Sequence, residues 1–216
     1  MKNRNTSLAV HYHDPITLRE NNFYFSIEFG RWIDSLSIYF KEIIIFAFIE
    51  DSQNKQYQLK SKNIRCKILG YKKHPIKTLL CLNYYKKIIQ KNSNQFDIIC
   101  FRVPSLLAVY LSMFTKEKKQ IFIIVGNMLN IPNTNTLNLK LFIYRMYWKF
   151  DYFLLSRQTK NRLIMSNNTL SKKIYKHIKN QNFFFTSTIW EKDIISRKQN
   201  FSDNEIKILS LGRFSS

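Results

Sequence analysis

Glycine is scarce in this chain, with four in 216 residues against a usual share of about 7%. Motifs that need several glycines to cradle phosphate are therefore excluded. Neither G-x-G-x-x-G nor G-x-x-x-x-G-K-[ST] occurs, and there is no G-x-S-x-G nucleophile elbow. Cysteine is nearly as rare. Cys66, Cys81 and Cys100 are odd in number and lack metal-ligand spacing, which suits a reducing cytosol. No apolar run reaches the roughly 18 residues of a membrane span. The opening MKNRNTSLAVHYHD has too short an apolar core for a signal peptide. The sequons at Asn5, Asn167 and Asn200 then carry no meaning, because a cytosolic protein does not meet the glycosylation machinery.

Acidic residues are also few. Asp and Glu number 14 against 35 Lys and Arg, a net charge of +21. A surplus of this size implies an anionic partner: nucleic acid, acidic lipid headgroups or a diphosphate substrate. Lysine drift in an AT-rich genome is the alternative, since Lys, Asn and Ile are all abundant. The basic runs Lys116–Lys119 and SKKIYKHIK lack interleaved aromatics and match no nucleic-acid module, which weighs against nucleic acid. Basic helices on one face suit peripheral contact with anionic membrane equally well.

What is present is globular. Hydrophobic residues are 45% and aromatics 15% of the chain, enough for a real core. Apolar runs of strand length alternate with segments of helical period. SLAVHYH (7–13), EIIIFAFI (42–49), RCKILGY (65–71), FDIICFR (96–102), QIFIIVGN (120–127) and NRLIM (161–165) read as strands, and NFFFTST (182–188) as extended. Helical spacing covers 29–40, 76–89, 104–114, 136–150 and 166–178. The alternation predicts an α/β fold: an open, mostly parallel, doubly wound, Rossmann-like sheet over residues 1–205. The polar stretch 198–205 reads as a linker. KILSLGRFSS then reads as a new strand and turn, the start of a second domain over 206–216.

Several strand ends carry polar residues, and in open α/β sheets such ends face a ligand crevice. His11, His13 and Asp14 close the first strand. Metal binding would need further ligands that do not stand out, so His13 is expected to line a cleft. Gly30 is expected at a strand-to-helix turn, beside Arg31, where backbone N–H groups approach an anion or where glycine simply makes the turn. Arg102 is placed for a bidentate grip on phosphate or carboxylate, or as an ordinary surface arginine. Ser105 can cap the following helix. Gly126 and Asn127 form a third such end.

FGRWIDSLSIYFKEIIIFAF, FDIICFRVPS, STIWEKDI and KILSLGRFSS, in this order, resemble the amino-terminal half of a family 4 glycosyltransferase of capsular or surface polysaccharide synthesis. The resemblance implies the first lobe of a two-lobed GT-B fold. In that family a strand ending in Gly-Arg opens the second lobe, so the chain is expected to be a truncated acceptor lobe, with little or no turnover alone. It implies sugar transfer from a nucleotide-sugar donor with retained configuration, to a glycan or lipid-linked acceptor, without metal or other cofactor. Arg213 would contact the donor diphosphate. The family's following Lys and acidic pair would lie in a separately encoded donor lobe, and Gly126-Asn127 stand where the family has a cleft histidine. The implied location is the cytoplasm, peripheral to the inner membrane face. The competing expectation is a non-catalytic basic module that binds anionic membrane or nucleic acid.

Overall fold

Continuous β-branched and aromatic runs cannot be half-solvated, so they stack as neighbours in a sheet covered on both faces. In the computed structural model that sheet has seven parallel strands. The structure describes residues 5–52, 55–72, 78, 80–103, 105–124, 146, 149, 153, 162–166 and 181–183. In chain order the strands of the large sheet are β1 (Ser7–His11), β4 (Glu42–Ile49), β6 (Ile64–Tyr71), β7 (Ile98–Val103), β8 (Lys119–Ile124), β9 (Arg162–Ser166) and β10 (Gln181–Phe183). A second, antiparallel sheet is formed by β2 (Thr17–Arg19), β3 (Asn22–Phe25) and β5 (Tyr57–Gln58). The helices are α1 (Ile27–Ser37), α2 (Leu82–Lys91) and α3 (Leu106–Ser112).

Across the large sheet the order is β6-β4-β1-β7-β8-β9-β10. The chain builds outward from β1 on one side, then returns and builds outward on the other. The order reverses between β1 and β7, the topological switch point of a Rossmann-like sheet. The two are direct neighbours, with Leu8 opposite Ile98 and His11 opposite Phe101.

Side chains alternate between two cores, as the strand period demands. Ala9, Ile44, Phe46, Ile99, Phe101 and Phe122 face the layer containing α2 and α3. Leu8, Val10, Ile43, Ile45 and Cys100 face α1. Helices therefore cover both faces, as the α/β expectation holds.

The polar groups at the base are matched. Ser7 N–H donates to Asp97 Oδ2 at 2.8 Å, and Arg65 pairs with Glu42. Asn63 Nδ2 donates to the carbonyls of Ser37 and Phe40, each at 3.0 Å, closing the end of α1. The outermost described strand on one side, β6, carries a bulge. Ala47 lies opposite Ile68 but Phe48 lies opposite Gly70, and Gly70 adopts φ +123°, open to glycine alone at little cost.

Several boundaries differ from the sequence reading, two of them beside the switch point. The first strand stops at His11, because Tyr12 leaves the ladder while its N–H still reaches Phe46 O at 2.9 Å. Helix α1 begins at Ile27, two residues before the predicted start, because Ser26 caps it by accepting the Phe29 N–H at 3.4 Å. The predicted helices over 136–150 and 166–178, the linker at 198–205 and the strand at 208–211 lie largely or wholly outside the described residues. So does the predicted 206–216 domain.

Candidate functional site

The carboxyl ends of β1 and β7 meet at the switch point, and three segments bring side chains there. The segment after β1 supplies Tyr12, His13 and Asp14. Strand β7 supplies Arg102. The start of α1 supplies Ser26 and Phe29.

Tyr12 is the organising residue. Its ring is fully buried and stacks on Phe29, with centroids 3.7 Å apart and planes at 14°. Its hydroxyl donates to Asp14 Oδ2 at 3.4 Å and meets Ser26 Oγ at 3.1 Å. Since Ser26 Oγ also accepts the Phe29 N–H, a chain of hydrogen bonds runs from the amide of α1 through Ser26 and Tyr12 to the Asp14 carboxylate. Burial, above all, pushes the Tyr12 hydroxyl up to about 12, so it remains a donor at neutral pH.

Arg102 lies beside this aromatic pair, nearly equidistant from the two rings. Its guanidinium carbon is 5.4 Å from the Tyr12 centroid and 5.7 Å from that of Phe29, within cation–π range. His13 sits beside it, with Nε2 3.9 Å from Asp14 Oδ1. Burial lowers the His13 pKa, the Asp14 charge opposes that, and the positive charges of Arg102, Lys55 and Lys72 lower it further. His11 points to the opposite core. It is 1% exposed, and neither ring nitrogen has a hydrogen-bond partner among the described residues. Its pKa is lowered to about 3 by burial first and His13 second.

The structure thus brings His13 and Arg102 together, and Asp14 and Tyr12 join them. Ser105 lies just beyond β7, where its Oγ accepts the Ala108 N–H at 3.4 Å and caps α3, as its position predicts. Gly126, Asn127 and Arg213 lie outside the described residues.

Gly30 requires a correction. It is not at a turn but inside α1, and its N–H is already bonded to Ser26 O at 2.9 Å, so it offers no amide to an anion. Its lack of a side chain serves packing instead. A Cβ built there would lie 2.7 Å from Tyr57 Cγ. The Tyr57 hydroxyl donates to Asp34 Oδ2 at 2.9 Å, while Asp34 also accepts the Ser61 N–H at 3.1 Å, so the hydroxyl end of the ring is anchored. Arg31 is on the same side, where its charge acts on the Tyr57 hydroxyl. Gly30→Ala should therefore destabilise the fold by about 1–3 kcal/mol through overpacking. In a Tyr57→Ala background the same change should stabilise it by about 1 kcal/mol, the helix-propensity gain. Urea midpoints of the four proteins read this sign change; like signs in both backgrounds would remove the packing explanation.

Tyr12 and Phe29 were not singled out by sequence reasoning. The available signals were the aromatic run into Asp14 and the Phe at helical spacing, both equally suited to plain core packing. Among the described residues no group of three or more His, Cys, Asp or Glu side chains could hold a metal ion. No helix among them is long and apolar enough to cross a membrane. No protein-family model matches the chain, and no curated protein matches it.

Proposed function

We propose that this domain is the acceptor-binding lobe of a retaining, nucleotide-sugar-dependent glycosyltransferase of polysaccharide or glycolipid biosynthesis. The observation that carries the reading is the position of His13, Asp14 and Arg102 beside the β1/β7 reversal, where open α/β sheets hold ligands. The sequence resemblance supports it over most of the chain.

The chemistry of the crevice suits a sugar. Hydroxyl groups donate and accept at once, so a glycan needs neighbours of both kinds. Asp14 accepts, Arg102 donates, and His13 offers Nε2, its Nδ1 being buried. The side chains of His13 and Asp14 are 29% and 49% exposed, so a ligand can reach them. In the full reaction the donor diphosphate would be stabilised by fixed dipoles and cationic side chains of the second lobe.

The test is saturation-transfer NMR on the intact chain with a panel of oligosaccharide acceptors. Glycan protons should receive saturation from the protein, and Asp14→Asn should weaken the effect by about tenfold in affinity, the scale of one charged hydrogen bond. A folded protein that transfers saturation to no member of the panel would end this reading.

A further inference from the structure

We infer that Tyr12 and Ser26 are positioning residues for the crevice: their hydroxyls pass hydrogen bonds in one direction, from the amino end of α1 to the Asp14 carboxylate, and couple the state of that carboxylate to the cap of α1. The use of this coupling rests on the acceptor-lobe reading above, to which it adds how the site is held and how its occupancy is sensed.

The two ends of the chain of hydrogen bonds fix its direction. The Phe29 N–H can only donate, and the Asp14 carboxylate can only accept. Between them stand two hydroxyls with one proton each. Ser26 Oγ takes the Phe29 N–H at 3.4 Å and lies 3.1 Å from the Tyr12 hydroxyl. That hydroxyl is 3.4 Å from Asp14 Oδ2. Only one arrangement makes all three bonds: Ser26 donates to Tyr12, and Tyr12 donates to Asp14. Burial, above all, keeps the Tyr12 proton in place, with its pKa pushed up to about 12.

A second arrangement turns the Tyr12 proton to Ser26. Asp14 then loses its donor, and Ser26 Oγ must accept from Tyr12 and Phe29 together. The charge on Asp14 holds the first arrangement, because a hydrogen bond to an ion is roughly twice as strong as a neutral one. Spending that charge on a ligand favours the second. Bonds in such a chain strengthen one another, so the Phe29 amide is held less tightly once Asp14 is engaged elsewhere. Two side chains of the crevice are thereby referred to the first turn of α1: Asp14 through the hydroxyls, and Arg102 through the Phe29 ring 5.7 Å away. The chain of bonds occupies Oδ2, which leaves Oδ1, on the His13 side, to face a ligand.

Amide NMR of the intact protein tests the coupling before any ligand is added. Asp14→Asn should move the Phe29 amide proton upfield and speed its exchange about twofold to fivefold. Tyr12→Phe keeps the stacked ring and removes the hydroxyl. In that background Asp14→Asn should have less than half the effect, because the route between them is gone. Ser26→Thr should preserve the coupling. Ser26→Asp, which still caps α1 but brings no proton, should abolish it, and decides the matter if Tyr12→Phe does not fold. Equal effects of Asp14→Asn with and without the Tyr12 hydroxyl mean that the charge acts through space, and overturn the inference. So does coupling that survives in Ser26→Asp. An oligosaccharide of the panel that binds then separates positioning from packing. At saturation it should shift the Phe29 amide in the unsubstituted protein and not in Tyr12→Phe. Tyr12→Phe should weaken its binding by about threefold, and the double variant should bind no worse than Asp14→Asn alone. Glycan affinity unchanged in folded Tyr12→Phe overturns the positioning role while sparing the acceptor lobe. Binding of no glycan ends the acceptor-lobe reading, and the coupling in the free protein still stands or falls on the first set of variants.

Discussion

Between pH 6.5 and 3 the fold should lose on the order of 5 kcal/mol of stability through His11 alone. The folded-state pKa of this histidine is about 3, while the unfolded chain titrates near 6.5. Below 6.5 the unfolded state binds a proton that the folded state refuses, so acid favours unfolding. The loss runs at about 1.4 kcal/mol per pH unit and levels off once the folded-state pKa is passed. Against a typical total of about 5–15 kcal/mol, it is large enough to set the acid limit of the domain. His13 contributes with the same sign, because its pKa is also lowered.

Urea midpoints at several pH values would show the slope, and His11→Leu should remove one proton's share of it. The same substitution should raise stability at neutral pH by about 1–3 kcal/mol, because two ring nitrogens with no partner among the described residues are no longer buried. An unchanged acid slope in His11→Leu would show that the proton is refused elsewhere.

Phe29→Ala should cost about 3–5 kcal/mol, the usual range for emptying a buried phenylalanine site. Phe29 is 2% exposed. Its ring contacts Tyr12 and approaches Phe25 and Trp32, each at 5.7 Å between centroids. Phe29→Leu, which restores most of the volume, should cost less than about 1.5 kcal/mol. It nevertheless removes one of the two aromatic rings beside Arg102. The pair of variants separates packing from positioning: thermal melts should distinguish Ala from Leu, whereas both should loosen Arg102. A cost below about 1 kcal/mol for Phe29→Ala would mean that the aromatic pair does not organise this end of the sheet.

The large sheet was legible because its strands are written as unbroken apolar runs. The limits of β4 coincide with EIIIFAFI, where acids at Glu42 and Glu50 bracket an apolar stretch that is buried on both faces. The small sheet was not legible. Strands of three, four and two residues are too short to show a period. Their one local signal was the Glu20-Asn21 turn, where both residues take positive φ, and Asn tolerates that conformation far better than Glu. Gly30 misled for a different reason: a glycine before a helical run resembles a turn, and only the approach of Tyr57 from 27 positions away along the chain gives its actual purpose. The site was half legible. His13 and Arg102 stood at strand ends, but their link through Tyr12 and Phe29 joins residues far apart in sequence, and no local pattern records such a contact.

The bulge at Ile68–Gly70 also bears on how the protein behaves in a crowded solution. A long outer strand presents a row of free amides and carbonyls that invites a neighbouring chain to extend the sheet. Here the row is interrupted by an extra residue and by a backbone turn unavailable to a flat ribbon, with Arg65 and Lys67 along the same strand. A second molecule trying to continue the hydrogen-bond ladder would lose register partway and meet like charge on its own matching strand. This flank of the described sheet is thereby made a poor template for fibrillar self-association.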